Sequence, residues 1–369
     1  MISKLKIASI SDIHLGNHRT KTAFILDNLR KAFPDNADTA SIDLLFIAGD
    51  VFDRLLTFGS EEVTEITYWI LDLLLICRKH DIVVRVLEGT PSHDWKQSRI
   101  FRTVNAILNQ SVDLKYYDTL SIEHIERFDL TVLYVPDEVN HDANITWKQV
   151  SELLGSHGLD RVDFACMHGS FHHQMPGAKS HTASRYLGIV RHYIFIGHVH
   201  QQSRYERILA QGSFDRDTHG QEEPKGHYRV TIEEGKDDLI EFIENKDAKV
   251  FKTLDLTGVP LSDALDRLKV CLNYPDGSYF RLMLSRGDDL FKSIGTIKGL
   301  YPQYYWTTHL DDLETQETSL VPDSDDPPMP ISVTPDNVIS LIQERLPAGI
   351  SSLLEKHTLA LLEKLAKDH

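Results

Sequence analysis

Short apolar runs rich in β-branched residues recur along the chain, at residues 5–10, 44–48, 82–87, 164–167 and 193–196. Between them lie longer stretches in which apolar side chains return every three or four positions, residues 61–80 being the clearest. An apolar run of about 4–8 residues closed by turn-forming residues predicts a buried strand, and three-and-four spacing predicts a helix with one apolar face. Their alternation is that of βαβ units and predicts a layered α/β domain. Beyond residue 200 the texture changes, and residues 204–210, 227–232 and 239–243 have strand character without helical spacing between them. A meander completing the sheets is expected there.

Residues 250–256, 262–271 and 279–285 then read as strand, helix and strand, a compact α+β unit of a size to cap a crevice, with a boundary near Lys249. The segment Val-Pro-Asp-Ser-Asp-Asp-Pro-Pro-Met-Pro at 321–330 can hold neither a helix nor a central strand, because proline removes backbone donors and the carboxylates repel one another. After it, Thr334 is a good N-cap with Pro335 at the first helical position, and Val338, Leu341, Ile342 and Leu346 mark one face of a helix. Pro347 and Gly349 end that helix, and Ile350, Leu353, Leu354, His357, Leu361 and Leu365 mark a second. The expected organisation is a core over 1–249, an α+β cap over 250–318, an acidic proline-rich linker over 319–333 and a helical hairpin over 334–369. Such a hairpin either folds back on its own protein or docks on another.

At 369 residues and 41% hydrophobic, the chain can bury a large core. No apolar run reaches the ~18 residues of a membrane span and no charged-then-apolar leader follows Met1, so a soluble, cytoplasmic protein without membrane contact is expected. Cys77, Cys166 and Cys271 are far apart, as reduced buried thiols would be. A formal charge of −16 weighs on any nucleic-acid partner, since affinity for phosphates comes mostly from Lys and Arg. The acidity is uneven, with no Lys or Arg over residues 299–344.

Candidate chemistry gathers just past the apolar runs. Asp12-Ile13-His14 follows the first, Gly49-Asp50 the second, Ser92-His93-Asp94 comes shortly after the third, and His168-Gly169 and Gly197-His198-Val199-His200 follow the last two. Carboxyl ends of neighbouring strands open on one crevice, so these ends can deliver acids and imidazoles to a single point, most simply a pair of divalent ions. Asp12 and His14, like His198 and His200, are two apart, and in extended backbone such residues point the same way. Asp50 has two oxygens with which to bridge two ions, and the glycine before it allows close approach of backbone. Taken singly, each has a plainer reading as a turn aspartate or a satisfied core histidine. Two ions on two carboxylates would leave a local charge near +2, enough to draw a phosphodiester into an acidic protein.

This order resembles the calcineurin-like metallophosphoesterase family, whose pattern is D-x-H, G-D, G-N-H-D, H and G-H-x-H. The resemblance covers about the first 250 residues and implies a layered α/β/β/α sandwich, here with a small α+β capping domain and a C-terminal helical hairpin. It implies that Asp12, His14, Asp50 and His200 hold one ion and Asp50, His168 and His198 the second, with Asp50 bridging. His93 matches the family histidine that contacts the phosphate and the leaving oxygen, and Asp94 would orient it. The departure is Gly89-Thr90-Pro91-Ser92-His93-Asp94, which has extra residues and no asparagine. Ser92 takes the slot before His93 and is the ligand named for it, while Thr90, a water or nothing are the other ways to fill it.

Gly212-Ser213-Phe214-Asp215-Arg216 looks like the Gly-Ser-x-x-Arg segment of SbcD-like nuclease subunits of double-strand-break repair complexes, and the loop spelling looks like phage-type members. The resemblance therefore implies a metal-dependent DNA exonuclease or endonuclease, with manganese first among its ions and magnesium, iron and zinc left open. It implies a homodimer, and an SMC-like ATPase docked on the C-terminal helices; a viral member would act in host cytoplasm. Arg99, Arg102, Lys179, His181 and Arg185 are the candidates for DNA backbone contact, their plainer reading being solvated surface. Other readings are a nucleotide or phosphoprotein phosphoesterase of the same fold without an ATPase, and a binding scaffold with a decayed site.

Overall fold

The computed structural model describes residues 4–137, 142–177 and 179–310. The expected linker over 319–333 and hairpin over 334–369, with the ATPase docking assigned to it, lie outside the described residues, as does the end of the expected cap. The described residues belong to one compact unit, 1–313. In chain order the elements are β1 (Lys4–Ile10), α1 (Thr22–Ala32), β2 (Leu44–Ala48), α2 (Glu61–His80), β3 (Val83–Leu87), α3 (Pro91–Asp94), α4 (Ile100–Ile107), β4 (Leu114–Tyr117), β5 (Ser121–Ile125), β6 (Leu130–Val135), α5 (Ala143–Ser156) and β7 (Phe164–Gly169). There follow α6 (Ala183–Ile189), β8 (Ile194–His198), β9 (Ser203–Tyr205), β10 (Ile208–Ala210), β11 (Gly226–Glu233), β12 (Leu239–Glu244), β13 (Phe251–Asp255), α7 (Leu261–Leu268), β14 (Tyr279–Leu284), α8 (Asp289–Lys292), α9 (Ile294–Leu300) and β15 (Tyr305–Leu310).

The strands make two mixed six-stranded sheets, β12-β11-β1-β2-β3-β4 and β5-β6-β7-β8-β10-β9, flanked by helices. β1 to β4 are mutually parallel, as are β6, β7, β8 and β10. Antiparallel strands close the sides: β11 on β1, β12 on β11, β5 on β6 and β9 on β10. β2 shows why these runs are apolar throughout. Leu44, Phe46 and Ala48 join Phe164, Cys166, Phe195 and Tyr134 in a core shared by both sheets, while Leu45 and Ile47 pack with Ile66, Ile70 and Leu74 of α2. A strand buried on both faces has no polar side to alternate. α5 and α6 cover the other sheet, with Val150, Leu154 and Tyr186 against Leu133, Ala165 and Met167. Each such large apolar side chain contributes about 1.5–3 kcal/mol by burial.

The strands after residue 200 are not one meander. β9 and β10 extend the second sheet, and β11 and β12 cross to the first, where β11 pairs with β1. Alternation of polarity states which face is buried, not which edge a strand joins. The third sheet, β13-β14-β15, is parallel and has its own core of Leu256, Ala264, Leu268, Phe280, Leu282, Leu290 and Ile297. It touches the rest at the 215–222 loop and before α1: Thr253 N–H donates to Glu222 Oε1 at 2.9 Å, the Tyr279 hydroxyl to the Arg19 carbonyl at 3.0 Å and, just before β13, Lys249 N–H to Asp215 Oδ1 at 2.6 Å. No helix among the described residues is long and apolar enough to cross a membrane.

Candidate metal centre

Five strands from two sheets bring their carboxyl ends together. Asp12 and His14 follow β1, Asp50 follows β2, Thr90 and His93 follow β3, His168 ends β7, and His198 and His200 end and follow β8. Asp12, His14, Asp50 and His198 all have positive φ, at 49°, 55°, 50° and 95°. Non-glycine residues rarely adopt this backbone, and where they do so together the surroundings are holding the chain for a purpose. Gly89 permits the closest crossing: a Cβ there would lie 2.1 Å from the Asp50 nitrogen and 2.2 Å from its Oδ1.

The ligating atoms fall into three overlapping groups, within each of which all atoms lie inside 4.8 Å of one another: Asp12, His14 and His200; His14, Asp50 and His93; Asp50, His168 and His198. The Nε2 atoms of His14 and His200 face each other at 2.9 Å. His168 is aimed by its Nδ1, 2.8 Å from the Ala48 carbonyl, so that Nε2 stands 3.3 Å from Asp50 Oδ1. Asp12 accepts from the His198 backbone N–H at 2.9 Å, tying the first strand end of one sheet to the other sheet. The Thr90 hydroxyl lies 3.1 Å from Asp50 Oδ2, 3.4 Å from His168 Nε2 and 3.3 Å from His198 Nδ1.

These groups perturb one another strongly. Burial opposes a charge on His14 and His168, yet the carboxylates around them win: His14, facing Asp53, Asp50, Asp217 and Asp12, is raised to about 9, and His168, on Asp50, to about 10. Asp50 is held well below the usual carboxylate range by His168, His93 and His14, against its own burial. His200 is pushed down to about 3 by burial and by the charge on His14, whose Nε2 lies 2.9 Å away. Imidazole nitrogens and carboxylate oxygens converging in this way fit a divalent cation. Buried Asp and His groups here could hold a metal ion.

No family model matches this chain, and no curated protein matches it. Among solved structures it is similar to TT1561 of Thermus thermophilus, at 11% identity and a TM-score of 0.40 over 64% of this chain and 98% of that one. Another solved structure shares 11% identity at a TM-score of 0.38, over 65% of this chain and 99% of its own. Likeness at that level leaves the chemistry to the residues themselves.

Asp12, His14, Asp50, His168, His198 and His200 are thus brought together, and His93 with them, its Nδ1 2.9 Å from Asp50 Oδ2. Ser92 is not. It is exposed on α3, its carbonyl accepts the Trp95 indole N–H, and the hydroxyl within the cluster is that of Thr90. Asp94 does not orient His93. Its carboxylate accepts backbone N–H groups of Asp50 at 3.1 Å, Phe52 at 2.9 Å and Gly89 at 2.8 Å, so it braces the loops after β2 and β3.

Of the cations expected on DNA backbone, Arg99 pairs with Asp118 at 2.5 Å, and Arg185 donates to Asn144 at 2.7 Å and lies over Trp147. Arg102 is exposed, and Lys179 is exposed too. His181 is no surface group: it is buried against Phe171 and Tyr186, and burial lowers it to about 4, so it is neutral. The apolar run before it gave no sign of that, because the loop folds back under its own histidine. Asp53, 3.2 Å from His14 Nδ1, and Gln221, 2.8 Å from His200 Nδ1, orient ligands and went unread in the sequence. Asp53 stands three residues past Asp50 in the same turn, which is the signal that could have found it.

Proposed function

We propose that this chain hydrolyses phosphodiesters at a centre of two divalent cations, as a DNA nuclease of the calcineurin-like metallophosphoesterase type. The observation that carries the reading is the overlap of the three ligand groups, His14 belonging to two and Asp50 to two, which supports a pair of cations with Asp50 shared between them. The order of helices, two sheets and helices supports the family's layered sandwich. Two such ions, when bound, would activate water and neutralise charge growing on the phosphoryl oxygens. Asp12, His14, Asp50 and His200 would hold one and Asp50, His168 and His198 the other, and the Thr90 hydroxyl stands where the family's amide would be. His93, whose burial is opposed by the adjacent Asp50 so that its pKa is raised, would act on the departing oxygen as its acid. Mixed carboxylate and imidazole ligands suit manganese. Homodimerisation and an SMC-like ATPase partner belong to the same reading.

The charge of −16 favours a second reading, a phosphoesterase for nucleotides or other small esters. Incubating the purified chain with duplex and single-stranded DNA under manganese, magnesium or chelator, beside His93→Ala, separates the two. A nuclease loses DNA only with metal, and His93→Ala cuts turnover by about 10²–10⁴-fold while metal content by elemental analysis holds. Metal-loaded protein that spares DNA and cleaves small phosphodiesters supports the second. Equal loss of metal and turnover in His93→Ala makes His93 a ligand.

A further inference from the structure

The turn after His93 is held in an unfavourable shape. Trp95 and Lys96 both adopt left-handed backbone, at φ 48° and 58°. A bulky side chain is rarely found there and stays only where its surroundings over-determine the backbone. They do so here. Asp94 is tied to three backbone N–H groups, the Lys96 N–H donates to the buried Glu88 carboxylate, and Tyr116 donates to the same carboxylate at 2.6 Å. Gln97 adds a clamp, accepting from Leu56 N–H at 2.8 Å and donating to the Arg54 carbonyl at 2.9 Å.

What this turn presents is an indole. Trp95 is 54% exposed, whereas Trp69 is buried and Trp147 and Trp306 are half-buried. Its Nε1–H donates to the Ser92 carbonyl at 2.6 Å, which fixes the ring and leaves it in solvent. Ser92 is exposed and His93 half-buried, and His93, whose Nδ1 lies 2.9 Å from Asp50 Oδ2, stands two residues before Trp95 in the same turn. The largest apolar side chain is ordinarily drawn inward, and here it stands out in solvent on left-handed backbone, two residues from His93.

We propose that Trp95 is a stacking platform for the nucleobase beside the scissile phosphodiester, an inference that rests on the nuclease reading of the centre. Every base has a π-face, so stacking is tolerant of sequence. A ring already fixed loses little freedom on binding. Stacking also needs no positive charge, which suits a chain of net charge −16.

The test uses the full chain and a short single-stranded oligodeoxynucleotide, with binding read by fluorescence anisotropy in a His93→Ala background and cleavage read under manganese. Trp95→Ala is expected to weaken Kd and raise KM about tenfold with kcat little changed, and Trp95→Phe to recover most of the loss. An abasic residue at the cleaved position should weaken binding of the Trp95 protein about tenfold and of Trp95→Ala hardly at all. Trp95→Gly, which relieves the left-handed strain, should bind as weakly as Trp95→Ala without lowering the melting temperature. Unchanged Kd and KM in Trp95→Ala, with DNA still cleaved, overturn the stacking role alone. So does an abasic penalty that persists in Trp95→Ala, or a weakening that tracks loss of a dimer by light scattering. If the parent chain neither binds nor cleaves DNA, the nuclease reading and this inference fall together.

Discussion

Two buried ionic clusters join the same pair of sheets, and they are completed to different degrees. In the first, Arg85 of β3 meets Glu123 of β5 through two parallel bonds of 2.7 and 2.8 Å, and its remaining donors reach the Val84 and Asp113 carbonyls at 2.9 Å. Glu123 also accepts from Tyr134 at 2.9 Å and pairs with Lys115 at 2.7 Å. Donors and acceptors match there, as a buried pair requires. In the second, at the strand ends, Asp12, Asp50 and Asp53 face five imidazoles, and two ring nitrogens are left pointing at each other 2.9 Å apart. The first cluster closes on itself; the second gathers buried acids and imidazoles that could hold a metal ion. Charge burial alone is thus no mark of a working site, whereas carboxylates and imidazoles that converge from several strand ends and perturb one another mark the place to test for one.

The largest test of that contrast removes the shared ligand. Asp50→Ala should strip metal from both positions and abolish manganese-dependent phosphodiester cleavage, measured by elemental analysis beside activity; retention of one ion per chain would mean that Asp50 serves a single position. Removing one side of the closed cluster should act on stability instead. Glu123→Gln removes the bidentate carboxylate from buried Arg85, leaving it only Asp113 Oδ1 at 2.9 Å as an ion partner, and should cost up to about 3–5 kcal/mol in urea unfolding, with metal per folded chain unchanged. A loss of metal in that variant would show that the two clusters are not separate.

The smallest effect concerns acid. Burial would raise Glu123, but the Arg85 guanidinium, with Lys115 and Tyr117, holds it down to about 2 against the usual 4.5. A carboxyl whose pKa is lower folded than unfolded stabilises the protein above the unfolded value, and that contribution is lost as pH falls from about 4.5 towards 2. Replacing the pair with apolar residues, Arg85→Met with Glu123→Leu, should therefore flatten the acid limb of a stability-against-pH curve over that window. An unchanged limb would place acid sensitivity at the strand ends.

Much of this was legible along the chain. The expected helix at 61–80 is found over Glu61–His80, because its three-and-four spacing, the Ser60 cap and the basic last turn agree with one another. The acids and imidazoles past the apolar runs could be picked out because a polar residue closing a buried strand breaks a local pattern. Asp94 and His181 were misread for the opposite reason. His181 lies in a polar loop and Asp94 ends the one-turn helix α3, and in both cases only the tertiary path of the chain buries the side chain. Arg85, inside an otherwise apolar strand, had a partner 38 residues away that no local spacing announces.

By itself the sequence determined which residue types close each strand and which stretches become strands and helices, since hydrophobic period and capping act over a few neighbouring residues. Only the tertiary structure decided that the strand ends of two different sheets face one another, that Thr90 rather than Ser92 stands among the histidines, and that Trp95 is held in solvent. Those outcomes depend on edge pairing between distant strands and on left-handed backbone that many separate hydrogen bonds must hold at once, and neither leaves a periodic trace in the chain.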